Sequence, residues 1–439
     1  MKIKIFEKFD YILFFCVAIL LGLSISFIYS SGINSEGILV SKEYIKQIIW
    51  AVCGLIIMGI VAVLDYRKIY RYAPFLFGAA MLMLVYTMLF GKYVNGARSW
   101  IGIGELGIQP SELTKILYIL FLAWYLDRYK NEDPRKKFLI SILIMLLPMG
   151  LILMQPDLGT ASVYLPIFLV MCFMADVPLR YLMIVLCGGL LTIVLTVLPI
   201  WQSEILHKSI TIINILTNTK LTFIVIAASA TIALIGMLGQ ILFKKKYFYW
   251  ITYVFGILTF SLLASIAAGK VLKPYQIQRL IVFLDPSSDP RGSGWNIIQS
   301  KIAIGSGNFW GRGFLQGTQS HYRFLPQQST DFIFSILAEE MGFAGGIFVF
   351  SLFLIIMLRI IYIIKQTTNV YGYYISSGIL GMFFFHFIVN VGMVMGIMPI
   401  TGIPLPFLSY GGSSLITDMI AIGILMSINA RRLDFNVAV

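Results

Sequence analysis

Apolar runs of close to twenty residues, without the period-two alternation of barrel strands, alternate with short polar turns along nearly the whole chain. A bilayer core of roughly 30 Å takes about 20 mainly apolar residues per helix, and only helices or closed barrels satisfy their backbone groups in lipid. Continuous runs exclude the barrel. The pattern predicts an all-α polytopic membrane protein with about 12 transmembrane helices, near 10–30, 44–64, 73–90, 110–127, 138–154, 160–177, 181–200, 221–243, 247–268, 333–358, 373–395 and 412–429. Composition agrees, with 59% hydrophobic and 12% charged residues, outside the range of a soluble chain of this length.

Charge placement orients the spans. With the N-terminus in the cytoplasm, alternate turns hold Lys2, Lys4 and Lys8, then Arg67, Lys68 and Arg71, then Arg128 to Lys137, Arg180, Lys244 to Lys246, Arg359 with Lys365, and Arg431 with Arg432. This is the positive-inside pattern, and it puts both termini in the cytoplasm. It also accounts for the net charge of +13, because the cations are spread over separate turns rather than gathered on a nucleic-acid-binding face. The first apolar run is as long as a full span and lacks a cleavage site, so it reads as an uncleaved helix.

Several chemistries drop out. The four cysteines lie in apolar runs without paired spacing, and His207, His321 and His386 are scattered, so neither disulfides nor a histidine metal site are expected. No Walker A sequence occurs. Gly102 to Gly107 (GIGELG) fits G-x-G-x-x-G but sits between membrane helices, where a tight re-entrant turn is expected instead of a dinucleotide site.

The distinctive residues fall on the opposite, extracytoplasmic face. One connection carries Arg98 and Trp100, then Pro110 as a first-turn helix residue, then Glu112 and Lys115 at i, i+3 on one helix face. Ionisable groups inside a span are costly and often functional, although these two can also neutralise each other as a structural pair. Asp157, in QPDLGT, faces the same side and can equally cap the next helix. The long segment 269–332 opens with an amphipathic stretch, YQIQRLIVFL, and supplies Lys273, Arg279, Arg291, Lys301, Arg312 and Arg323, suited to phosphate-bearing headgroups or to anionic lipid in general. It ends on Thr330 and Asp331 at the mouth of a span, where Asp331 can also serve as an N-cap. The last connection, GIMPITGIPLPFLSYGGSS, is broken by Pro and Gly, which is tolerated only where backbone is buried in protein or lines a cavity.

Seven ordered motifs, NGARSW, QPSELTKI, QPDLGT, YQIQRLIVFLDPSSDP, QSKIAIGSGNFWGRGFLQGTQS, FLPQQSTDFIFSILAEE and GIPLPFLSYGGSS, together resemble the SEDS family of shape, elongation, division and sporulation proteins, and its elongation member in particular. The resemblance implies a peptidoglycan glycosyltransferase that polymerises lipid II on the outer face of the bacterial cytoplasmic membrane during elongation. It makes Asp331 of the TDF motif the essential carboxylate, as general base or as ligand of a divalent cation (Mg²⁺ or Mn²⁺), with Arg98, Trp100, Glu112, Lys115, Asp157, Arg279, Lys301 and Thr330 as substrate-binding candidates. No cofactor is otherwise implied. Expected partners are a class B penicillin-binding protein, which would supply crosslinking, and other elongation-complex membrane proteins.

The chain departs from the family pattern in two places. Gln327 and Ser329 stand where relatives usually have Glu and His. Relatives usually have ten spans, so the stretch 205–265 reads as a two-helix insertion within a single integral membrane domain, 1–439. A lipid II flippase or a noncatalytic scaffold are the competing readings. Distinctive residues on one face weigh against a carrier, which needs polar groups along a path to both faces, and a scaffold leaves Asp331 without chemical purpose.

Overall fold

A computed structural model describes residues 9–94, 97–103, 106–206, 210–271, 274–289, 292–322, 324–325 and 327–432. Lys2, Lys4, Lys8, His207, Lys273, Arg291 and Arg323, named above, lie outside the described residues. All twelve predicted segments are helical. Ten described helices are long and apolar enough to cross a membrane, and the other two segments are a charge-bearing helix, Pro110–Arg128, and a shorter one, Leu158–Met174. The chain is therefore a multi-pass membrane protein.

Contacts divide it into two compact units, Met1–Val177 with Asn296–Val439, and Pro178–Trp295. The first unit begins with α1 (Tyr11–Ser31), α2 (Glu43–Val63) and α3 (Tyr66–Phe90), continues through strands β1 (Lys92–Val94), β2 (Ala97–Ile103) and β3 (Leu106–Ile108), and then enters α4 (Pro110–Arg128), α5 (Pro134–Met154) and α6 (Leu158–Met174). Starts are set by local chemistry: Asp10, Asp65 and Asp133 accept backbone N–H bonds at α1, α3 and α5, and Pro110 opens α4 as predicted. Asp65 also takes the Arg67 guanidinium at 2.9 Å. Burial pushes its carboxyl up, but the Arg67 hydrogen bonds and charge, with Arg431 nearby, hold it below the usual range.

The second unit holds α7 (Leu179–Trp201), a π turn over Gln202–Leu206, α8 (Thr211–Thr217), α9 (Thr219–Phe243), α10 (Lys246–Val271), α11 (Pro274–Leu284) and a 3₁₀ turn at Pro286–Ser288. The amphipathic stretch expected near the start of the long segment is α11. Next come α12 (Ser293–Ser306), α13 (Thr318–His321), α14 (Ile333–Gln366), α15 (Val370–Val394) and α16 (Gly412–Ala430). In the first unit, α16 is the most enclosed span, with 83% of its apolar window buried against 28% for α2, so α16 is core while α2 turns much of its surface to lipid.

One expectation changes. The connection at 91–109 forms an antiparallel meander, β1-β2-β3, rather than a re-entrant turn. Gly107 belongs to it because of Trp100: a Cβ on Gly107 would stand 2.9 Å from the Trp100 ring, so the glycine leaves room for the indole across the ladder.

Candidate active site

Residues 395–411, the Pro- and Gly-rich stretch between α15 and α16, form a nonhelical segment that the first unit grips from several sides. Gly396 (φ 72°), Gly402 (φ 73°) and Phe407 (φ 62°) adopt left-handed backbone, and only the buried Phe407 does so at steric cost. Carbonyls freed by broken helix inside an apolar bundle need donors. Side chains of neighbouring helices provide them. Ser24 Oγ donates to Leu408 O at 2.7 Å, Gln47 Nε2 to Ser409 O at 3.4 Å, and Asn390 Nδ2 to Ile403 O at 2.8 Å. His386 Nδ1 lies 3.2 Å from Pro404 O.

Asp331 sits directly against this segment. Its backbone carbonyl accepts from the same Asn390 Nδ2 at 3.1 Å, and Ser329 O, two residues earlier, accepts from Tyr410 N at 2.9 Å. Its carboxylate faces Gly402, where an added Cβ would stand 3.6 Å from Oδ2. The boundary residue of α14 is Phe332, immediately after Asp331. Thr330 turns its hydroxyl back to Gln327 O at 3.1 Å.

Of the other predicted residues, Lys301 reaches the same segment directly, and Asp157, Glu112 and Lys115 stand beside residues that do. The exposed Lys301, on α12, runs its side chain over Gly396, where any Cβ would overlap it. Asp157 caps α6 through Thr160 N at 3.0 Å and Oγ1 at 2.8 Å, and also accepts from Gln109 Nε2 at 2.9 Å. Gln109 N in turn donates to Ser413 Oγ at 3.0 Å, and Gly159 lies so close to Thr401 O that no side chain would fit. Glu112 and Lys115 form a buried pair at 2.9 Å, and Lys115 Nζ also donates to His386 Nε2 at 3.1 Å. Because the ammonium can only donate, Nε2 accepts and the ring proton sits on Nδ1, directed at Pro404 O. Arg98 is exposed on β2 and Trp100 half-buried beside it, on a strand that packs against α3 and α4. Arg279 lies on α11, in the second unit.

Sequence reading missed five residues. His386 and Asn390, one turn apart on α15, tie the buried pair, the broken segment and Asp331 together, and Asp418 lies fully buried on α16 with Oδ2 unpartnered. Glu339 and Glu340 lie buried at the head of α14: Glu339 accepts from Gln319 N at 2.9 Å and Thr318 Oγ1 at 3.1 Å, and Glu340 from Leu315 N at 3.1 Å and from the Ser30 hydroxyl. The loop 311–321 is thereby laid onto the break in α14 at Gly342 (φ 66°). His321, within that loop, stands 3.8 Å from Glu340 Oε1, and burial lowers its pKa despite the opposing charge of Glu339.

A family model described as cell cycle protein, covering FtsW, RodA and SpoVE, matches residues 10–242 and 201–433. The chain belongs to this family. The SEDS resemblance read from the motifs is thus confirmed over nearly the whole chain. The peptidoglycan glycosyltransferase RodA of Treponema pallidum is 54% identical over 99% of this chain and 100% of its own length. The peptidoglycan glycosyltransferase MrdB of Escherichia coli K12 is 32% identical over 86% of this chain and 83% of its own. Among solved structures, a chain from a peptidoglycan synthase complex that coordinates polymerization and crosslinking superposes with a TM-score of 0.68 at 26% identity, covering 97% of this chain and 99% of that one. RodA of Thermus thermophilus shares the SEDS fold at a TM-score of 0.60 and 23% identity, over 97% of this chain and 98% of its own.

Proposed function

We propose that this SEDS protein is a peptidoglycan glycosyltransferase that polymerises lipid II on the outer face of the cytoplasmic membrane, with both termini in the cytoplasm and Asp331 as its key carboxylate. The observation that carries the assignment to Asp331 is the placement of a carboxylate on a broken, glycine-lined membrane segment that a lysine, Lys301, also crosses. Full-length identity of 54% to a peptidoglycan glycosyltransferase supports the reaction class.

The acceptor sugar's 4-hydroxyl loses a proton to the carboxylate as its oxygen attacks the donor's anomeric carbon, and the bond to the undecaprenyl diphosphate breaks. Lys301 supplies positive charge for the departing diphosphate, and Arg98 is a candidate for the same task. Glu112, Lys115 and Asp157 hold the frame on which Asp331 rests. Among the described residues no group of three or more His, Cys, Asp or Glu comes together, so a divalent ion at Asp331 would need the substrate's phosphates to complete its ligands. The segment 269–332 is extracytoplasmic, 205–265 is a two-helix insertion, and crosslinking comes from a class B penicillin-binding protein in the elongation complex; the likeness to a chain of a synthase complex supports such a partner.

The test is glycan-chain formation from purified lipid II, with the partner present and its own glycosyl transfer inactivated. Wild type makes polymer, and Asp331→Asn loses at least about a hundredfold while still folding and binding the partner. Polymer from neither protein, both folded and paired, returns the choice to flipping or scaffolding; full activity of the variant removes Asp331 from the chemistry.

A further inference from the structure

The second unit contains a cationic cavity that the glycosyltransferase reading does not use. Helices α9 and α10 form a tight antiparallel hairpin, so close that a Cβ on Gly236 would stand 2.7 Å from Thr252 Oγ1. The turn between them is made by Lys244, in left-handed backbone at φ 52°, and Lys245, with Lys246 opening α10. Left-handed backbone at Lys244 ends α9 abruptly and leaves three consecutive ammonium groups at one hairpin end. They border a cavity of about 370 Å³, lined also by Gln240, Tyr249 and Trp250. Arg180 lies behind the lining residue Tyr249, its guanidinium 6.0 Å from that ring's centre and its carbonyl accepting from Tyr253 Oη at 2.7 Å.

Two features separate this site from an ordinary basic turn. Among the described residues none of the three lysines pairs with a carboxylate, and no acid lines the cavity, so the charge is unneutralised within the protein. At three other cytoplasm-assigned turns a cation is paired: Arg67 with Asp65, Lys136 with Glu132 and Arg359 with Asp10. Directly beside the lysines, Leu242 (73% exposed), Phe243 (64%) and Trp250 (60%) turn apolar surface outward. A phosphate bound by ammonium groups and an indole would thus have an acyl-binding surface next to it, with the aromatic rings at headgroup depth. A free anion gains nothing from that surface; a lipid gains from both parts.

We infer that the Lys244–Lys246 cavity is a binding site for the phosphate headgroup of an anionic phospholipid, whose acyl chains lie along the exposed end of the α9–α10 hairpin. The insertion then has a task, to fix this part of the chain in an anionic leaflet. The inference does not depend on the catalytic assignment.

The full-length protein is examined by native mass spectrometry with phosphatidylglycerol, with phosphatidylcholine of the same acyl chains, and with glycerol 3-phosphate as the free anion. Wild type retains phosphatidylglycerol at least about tenfold better than the other two, and K244Q/K245Q/K246Q loses that preference. The triple variant K68Q/R71Q/K365Q, which removes equal charge elsewhere, keeps it. Equal loss in both triple variants reduces the effect to general surface charge and overturns the site; retention of glycerol 3-phosphate as strongly as of the lipid overturns the lipid assignment. A photoreactive phosphatidylglycerol headgroup on the wild-type protein tests the place without any substitution: adducts are expected within 240–250, and adducts confined elsewhere overturn the proposal.

Discussion

Asn390 bridges two parts of the site, since one amide nitrogen satisfies the carbonyls of both Asp331 and Ile403. Asn390→Ala leaves two buried acceptors without that donor, at about 1–3 kcal/mol each, and lets the Asp331 backbone move relative to Gly402. Polymerisation is expected to fall about tenfold or more while partner binding persists, measured on lipid II beside a pull-down. His321 gives a pH effect whose sign follows from burial. Its folded pKa lies below the ordinary value near 6.5, so the folded state disfavours protonation. Stability is complete above about pH 6.5 and declines as pH falls through that value toward the folded pKa. Hydrogen-exchange protection of the loop 311–321, taken relative to the intrinsic exchange rate at each pH, should fall between pH 7 and pH 5, and His321→Gln should flatten that response. Asp331, Glu112 and Lys115 were legible in the sequence because charge in or beside an apolar run is costly and conspicuous. His386 and Asn390 were not, because one polar residue per turn in a span has the same local signature as a satisfied filler; their meaning lies in carbonyls that belong to other segments.

Helices were the most legible elements, since continuous apolar runs admit one solution in lipid. The meander β1-β2-β3 escaped because its outer strands are three residues each, too short for alternation to register. The available signal was the Asn95-Gly96 pair, a hairpin dipeptide. On α4, burial of both Glu112 and Lys115 makes the pair a test of structural against chemical roles. Removing one partner strands the other charge, so Glu112→Gln or Lys115→Met should each destabilise by about 3–5 kcal/mol, whereas the double variant should lose less than the sum. Thermal unfolding in detergent measures this. Near-additive losses would show that the two charges are held separately, Lys115 chiefly by His386.

Across the chain, motif order and span count carried the family assignment without any tertiary information. What they could not carry was the way residues 395–411 collect α1, α2, α6, α12, α15 and the approach to α14 around one stretch of backbone. These contacts are separated by up to 384 positions, and no local pattern announces them. Their chemistry has a consequence for how this region can change over generations. Ile403, Pro404, Leu408 and Ser409 are held by their carbonyls, Tyr410 by its amide, and Thr401 is met at its carbonyl by Gly159. Atoms common to every amino acid do the holding, so ordinary substitutions leave these bonds in place, while the buried side chains of Ile403, Leu405, Phe407 and Leu408 answer to packing instead. Length is the tighter constraint: deleting one residue would slide the carbonyls beyond it past their donors, so this stretch is held to its frame.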